Sequence, residues 1–291
     1  MPGKLFRPKE YLRPHTVEDA LSLLGKHRGA VVLAGGTDLL VTKPPGADYI
    51  IDITCLPFGF IKADKSGIKI GALTTIWELE TSAQLKEEPY NVLAETARNM
   101  GTPVTKNIAT LGGNICTAVP SADMPPALMV LDAEAKIVSS SGENKVSMEE
   151  FFTGPKECCL KKDELLAEVF VPRTPDKTKA IFVKKGRTHE DIAQVNAAVR
   201  ITLGAENLCK VARIALGAVA PTPIRAKEAE SMLEGKKLEN ISGVIDEVAK
   251  KASEAAKPIS DIRASAEYRK EVAKVLVKRA LESIIEKFRG S

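Results

Sequence analysis

The chain has 291 residues, 44% of them hydrophobic and 27% charged, with a formal net charge of +4. That length supplies buried cores for two or three domains, and so small a charge excess points to neither nucleic acid nor a membrane surface as partner. No apolar run approaches the length of a membrane span and no basic, apolar-cored leader opens the sequence, so a cytoplasmic protein is expected.

Residues 1–55 read as a first small unit. Thr16 is placed to cap a helix whose apolar face carries Val17, Ala20, Leu21 and Leu24, with Gly29 as its stop. Ala30 to Ala34 reads as a short buried strand, and Tyr49 to Ile53 as the next, after a Pro-Pro-Gly turn.

Residues 56–175 form the second unit. Ile68 to Leu73 is a strand by alternation, Thr75 caps a short helix through Trp77 and Leu79, and Pro89 opens a helix ending near Met100-Gly101. The stretch AVPSADMPP, from Ala118, is small and proline-broken, which predicts extended loop and no helix. Ala127 to Ser139 reads as a short helix turning into a strand, MEEFF from Met148 as a brief helix, and Leu165 to Pro172 as a strand.

The proline-rich run from Pro172 to Lys179 sets a boundary, and residues 176–291 form the third unit. Three runs beginning at Ala180, Val195 and Lys210 predict a three-stranded antiparallel sheet covered on one face. Helices follow. One is expected to open at Thr222-Pro223 and run through Leu233, and another to begin near Ile241. The last, over Ala264 to Phe288, puts Val272, Val275, Leu276, Leu281 and Ile284 on its packed face.

The cysteines Cys55, Cys116, Cys158, Cys159 and Cys209 have no C-x-x-C spacing, and His15, His27 and His189 are scattered. No metal or cluster site is therefore expected in this chain, and the thiols read as free and buried.

Two glycine turns carry the chemistry. LAGGTDLL runs from Leu33 through Ala34, Gly35, Gly36, Thr37, Asp38 and Leu39 to Leu40, where an apolar strand ends. TLGGNICTAVPSAD runs from Thr110 through Leu111, Gly112, Gly113 and Asn114 to Asp123. Glycine lets a ligand approach the backbone, and successive N–H groups in a turn make a nest for an anion. Asp123 could accept from sugar hydroxyls. A glycine pair is also an ordinary tight turn, and neither stretch is a G-x-G-x-x-G or Walker A loop. Two such turns in one chain suggest two clamps on one extended cofactor.

Together these stretches, with KKGRTHEDIAQVNAAVRI from Lys184, resemble the flavin-binding medium subunits of the molybdenum hydroxylases, the group that includes xanthine and carbon monoxide dehydrogenases and 4-hydroxybenzoyl-CoA reductase. The resemblance covers nearly the whole chain. It implies an α+β fold, with a two-part FAD-binding domain of the p-cresol methylhydroxylase/vanillyl-alcohol-oxidase type followed by a C-terminal domain of antiparallel sheet plus helices. It implies non-covalent FAD held by Leu33 to Leu40, Thr110 to Asn114, Met100, Asp123, Leu166 and Lys184, with no catalytic residue in this chain. As a bare side chain Met100 reads more readily as core filler, and Lys185 competes with Lys184 for the place beside the flavin. In the latter role a cation would favour negative charge on the ring. The implied partners are an iron–sulfur small subunit with [2Fe–2S] clusters and a molybdenum-binding large subunit with molybdopterin, with NAD as a candidate acceptor. Two other readings compete: a stand-alone flavin oxidoreductase of the same fold group, and a scaffold subunit that uses the turns only structurally.

Overall fold

The computed structural model describes residues 7–188 and 190–290, so His189 lies outside the described residues. The first part comprises β1 (Glu10–Leu12), α1 (Val17–Lys26), β2 (Ala30–Leu33), α2 (Leu39–Thr42) and β3 (Tyr49–Asp52). Its three strands are all parallel, in the order β1-β3-β2. Thr16 caps α1 by accepting from the Asp19 N–H at 3.1 Å, and Ala20, Leu21 and Leu24 are buried as expected. The β2 run is not a buried strand. It lies at the sheet edge, half-buried, with Val32 37% exposed.

The second part is built on a five-stranded antiparallel sheet in the order β4-β5-β10-β6-β7. It contains β4 (Ile61–Asp64), β5 (Gly67–Gly71), α3 (Ile76–Thr81), α4 (Asn91–Arg98), α5 (Pro103–Lys106), α6 (Leu111–Cys116), α7 (Met124–Val130), β6 (Glu134–Ser139), β7 (Gly142–Ser147), the small hairpin β8 (Phe152–Gly154) and β9 (Glu157–Cys158), and β10 (Leu165–Pro172). Thr75 and Glu78 form a reciprocal capping box on α3. The MEEFF run is a turn leading into β8, because Phe151 and Phe152 pack edge to face in the core and leave no helical face. The MPP triplet also departs from expectation. It opens α7, since proline in a first helical turn forfeits no intrahelical bond.

The third part carries β11 (Thr178–Lys185), β12 (Val195–Leu203), β13 (Cys209–Gly217), β14 (Ile224–Arg225), α8 (Lys227–Ser231), α9 (Leu238–Ile241), α10 (Ile245–Glu254) and α11 (Ala266–Arg289). Its sheet has four strands, not three. The expected helix from Thr222 starts only at Lys227, because Ile224 and Arg225 pair with Leu216 and Ala215. All of β12 is buried, so both faces of this sheet are covered and not one. Val199, Ile201 and Leu216 join a core with α10 and α11, while Ala198 and Ala215 join the core of the second part. Val275 stands 42% exposed, off the packed face of α11.

The cysteines are free thiols, with Cys209 buried and its thiol pushed up to about 12 by burial. Among the described residues no group of side chains could hold a metal ion, and no helix is long and apolar enough to cross a membrane.

Candidate cofactor-binding site

The carboxyl ends of the parallel strands and the start of α6 meet. In parallel sheets that edge is where ligands sit. The Ile53 N–H donates to Leu33 O at 2.9 Å, which places Thr54 beside the first glycine turn. On the other side, Thr75 bridges to Thr110. Between Thr54 and Thr75 opens a cleft of about 570 Å³, whose walls include Leu56, Phe60 and Leu73.

The first glycine turn presses directly on the approach to the second. A Cβ on Gly35 would lie 1.9 Å from Ile108 O and 3.1 Å from the Ala109 Cα, so no other residue fits there. Gly36 has φ of +69°, in the left-handed region glycine tolerates. Beyond it Leu40 N bonds back to Gly36 O, and Val41 and Thr42 bond back to Asp38 O. The backbone N–H groups of Gly35, Gly36, Thr37 and Asp38 donate to no acceptor among the described residues. Successive unpaired N–H groups around a positive-φ glycine form an open nest suited to an anion.

The second turn is different. Residues expected as open turn are the short helix α6, capped by Thr110 Oγ1, which accepts from Gly113 N at 3.0 Å. Leu111 N donates to Thr74 O, Gly112 N to Ala72 O and Asn114 N to Thr110 O. These donors are committed inside the protein, so the expected nest at Gly112-Gly113 is closed. Gly112 instead admits the residue that follows β5 closely: a Cβ there would sit 2.8 Å from both the Cβ and the O of Ala72. What this turn does offer is Asn114, whose buried Oδ1 has no partner. Leaving such an acceptor unmet costs about 1–3 kcal/mol, a cost that a donor on a bound ligand would relieve.

Asp123 and Lys184, expected as separate contacts, meet each other. Lys184 Nζ donates to Asp123 Oδ2 at 2.8 Å and to Asn99 O at 2.8 Å, and Asn196 Nδ2 donates to Asp123 Oδ1 at 2.6 Å. Both side chains are nearly inaccessible, at 5% and 7% exposure. Burial raises the Asp123 carboxyl, against the opposing pull of Lys184 and Asn196. Lys185 points outward. Met100 follows Asn99 directly and lies half-buried against the second part's core. Leu166, on β10, is 4% exposed within that core beneath α6, so its side chain is packing. Leu33 to Leu40 and Thr110 to Asn114 thus converge. Met100, Asp123 and Lys184 form a second group at the junction with the third part, and Leu166 belongs to the core of the second part.

Sequence reasoning missed Arg13 and Thr54. Arg13 donates to Thr54 Oγ1 at 3.2 Å and lies 3.4 Å from Asp52 Oδ2, at the same carboxyl edge as the first turn. Burial works to raise the Asp52 carboxyl, yet Thr54, Tyr11 and Arg13 together hold it below its ordinary value, so it stays anionic. The signal was the parallel pairing of β1 with β3, which no local pattern in three residues reveals.

The fold is thus a two-part α+β unit, with the two glycine turns at its meeting edge, followed by a sheet-and-helix domain. Residues 6–174 match the FAD binding domain in molybdopterin dehydrogenase, and residues 180–284 the CO dehydrogenase flavoprotein C-terminal domain. The chain is 32% identical to the glyceraldehyde dehydrogenase medium chain of Sulfolobus acidocaldarius, covering 94% of this chain and 97% of that one. It is 31% identical to the xanthine dehydrogenase FAD-binding subunit of Escherichia coli O157:H7, covering 97% of each. A carbon monoxide dehydrogenase chain from Hydrogenophaga pseudoflava superposes with a TM-score of 0.90 at 31% identity, over 95% of this chain and 96% of that chain. The chain belongs to the FAD-binding medium subunits of the molybdenum hydroxylase family, and is an oxidoreductase subunit of that type.

Proposed function

We propose that this chain carries FAD as the electron-transfer subunit of a cytoplasmic, multi-subunit molybdenum hydroxylase, taking electrons from the [2Fe–2S] clusters of a small partner and passing them to an acceptor such as NAD. A large partner would hold the molybdopterin and oxidise the substrate. Bound FAD supplies the ability to accept electrons singly and deliver them in pairs. The observation that carries this reading is the open nest at Gly35 to Asp38, held by backbone contact against the segment that leads into Thr110 and the unpartnered Asn114. The nest suits a diphosphate, and Asn114 Oδ1 suits a hydroxyl or amine donor of the same dinucleotide. Arg13, bonded to Thr54 and paired with Asp52, lies at the same carboxyl edge. At this edge the Asp52 carboxylate is tied to Tyr11, Thr54 and Arg13, so it is committed inside the protein and is not offered to an organic substrate as a base.

Reconstituted with FAD, the isolated chain should therefore turn over negligibly with purines, aldehydes or aromatic thioesters. Adding the cluster-bearing and molybdenum-bearing chains should restore substrate-dependent bleaching of the flavin absorbance, with cluster bleaching preceding or equilibrating with it. Fast bleaching by an organic substrate in the isolated chain would instead identify a stand-alone oxidoreductase.

A further inference from the structure

A second cleft, of about 580 Å³, lies at the opposite end of β2 from the glycine turn. Ala30 and Leu33 bound that strand, roughly 13 Å long at about 3.3 Å per residue, so the two sites are distinct. Three separate segments furnish its cations. Lys9 precedes β1, Lys26 and Arg28 end and follow α1, and Lys162 comes from the loop between β9 and β10. The acid in the cleft is Asp48, which Lys9 already binds at 2.9 Å. Four cations against one acid leave a net +3 here, where the whole chain carries +4. Lys26, Arg28 and Lys162 have no acidic partner among the described residues. The carbonyl end of α1 contributes about half a negative charge, well short of balancing them.

The cleft also has an aromatic wall. His27 and Tyr49 touch with ring centroids 4.2 Å apart and planes tilted by 37°, and both are half-buried, which holds aromatic ring surface beside the cations. Gly29 and Gly46, at φ of +85° and +79°, keep the rim low, and nothing lies within 4 Å of where a Gly46 Cβ would be. Converging cations suit phosphate oxygens, and an aromatic ring face suits a base.

We infer that this cleft binds a nucleoside phosphate, with the phosphates among Lys26, Arg28 and Lys162 and the base against the His27–Tyr49 pair. It would be a ligand site separate from the flavin's. The test is calorimetric titration of the full chain, saturated with FAD, using ADP, pyrophosphate and adenosine as probes. ADP should bind once per chain, more tightly than either fragment and more weakly as salt rises. The Arg28→Glu/Lys162→Glu variant should lose at least tenfold in ADP affinity while retaining its FAD. Tyr49→Leu should weaken ADP severalfold and leave pyrophosphate unchanged. Absence of ADP binding, displacement of ADP by FAD, equal affinity for pyrophosphate and ADP, or indifference to the charge reversals would each overturn the assignment. Because FAD content is read separately, failure here leaves the flavin reading standing, and loss of FAD in the wild-type chain would count against the flavin reading alone.

Discussion

Gly35→Ala should cost the protein its FAD and more than about 3 kcal/mol of stability, whereas Gly113→Ala should leave both nearly unchanged. The new Cβ at residue 35 would stand 1.9 Å from the carbonyl oxygen of Ile108, a backbone atom that cannot rotate away. Ordinary overpacking costs about 1–3 kcal/mol when side chains can adjust. Here the two segments would have to separate, and the nest would lose its shape with them. At residue 113 the added methyl meets only Thr110 Oγ1, at 3.0 Å. That position lies inside α6, where alanine is favoured over glycine by roughly 0.5–1 kcal/mol, enough to offset a small adjustment of the cap. Flavin absorbance per chain and urea denaturation measure both effects. A colourless Gly113→Ala beside a yellow Gly35→Ala would return the diphosphate to the second turn.

That contrast also marks how far the sequence was legible. The residues of both turns stood out because two glycine pairs, each after an apolar residue, suggest two clamps on one extended ligand. Their separate jobs did not, because an N–H group's availability depends on what the chain brings to it. Ala72 and Thr74 reach Gly112 and Leu111 from β5's end, some forty residues away in sequence, and close one turn. Among the described residues no such partner reaches the Gly35 N–H. The capped helices at Thr16 and Thr75 were readable since a cap is set within three residues. Strands β1 and β14 were not, since runs of three and two residues acquire meaning only from the strands beside them. The proline pair after Met124 misled for a related reason: proline forbids a helix interior, but it is at home in a first turn. Asp123 and Lys184 were both singled out, yet nothing in sixty residues of separation indicated that each is the other's partner.

Their pairing leads to the second large effect. Lys184→Met should destabilise the protein by about 3–5 kcal/mol at pH 7.5, the usual cost of stranding a buried charge. The pair spans the junction between α7 and β11, so the loss falls on the docking of the third part as well as on Asn99 and Met100. Burial already holds the Asp123 carboxyl above its ordinary value with the amine in place, and without it the carboxyl rises further. An acid whose folded value is raised binds its proton more tightly when native than when unfolded. Its contribution is therefore most favourable at low pH, and stability falls as pH climbs from the ordinary carboxylate range through the raised value. Lys184→Met should accordingly regain part of its deficit between pH 7.5 and pH 5. Adding Asp123→Asn removes the stranded charge, keeps an acceptor for Asn196, and should restore most of the loss at pH 7.5. Urea denaturation of the single and double variants at three pH values measures this coupling. A Lys184→Met chain as stable as the wild type at pH 7.5, or a double variant whose losses simply add, would show that the two groups do not depend on each other.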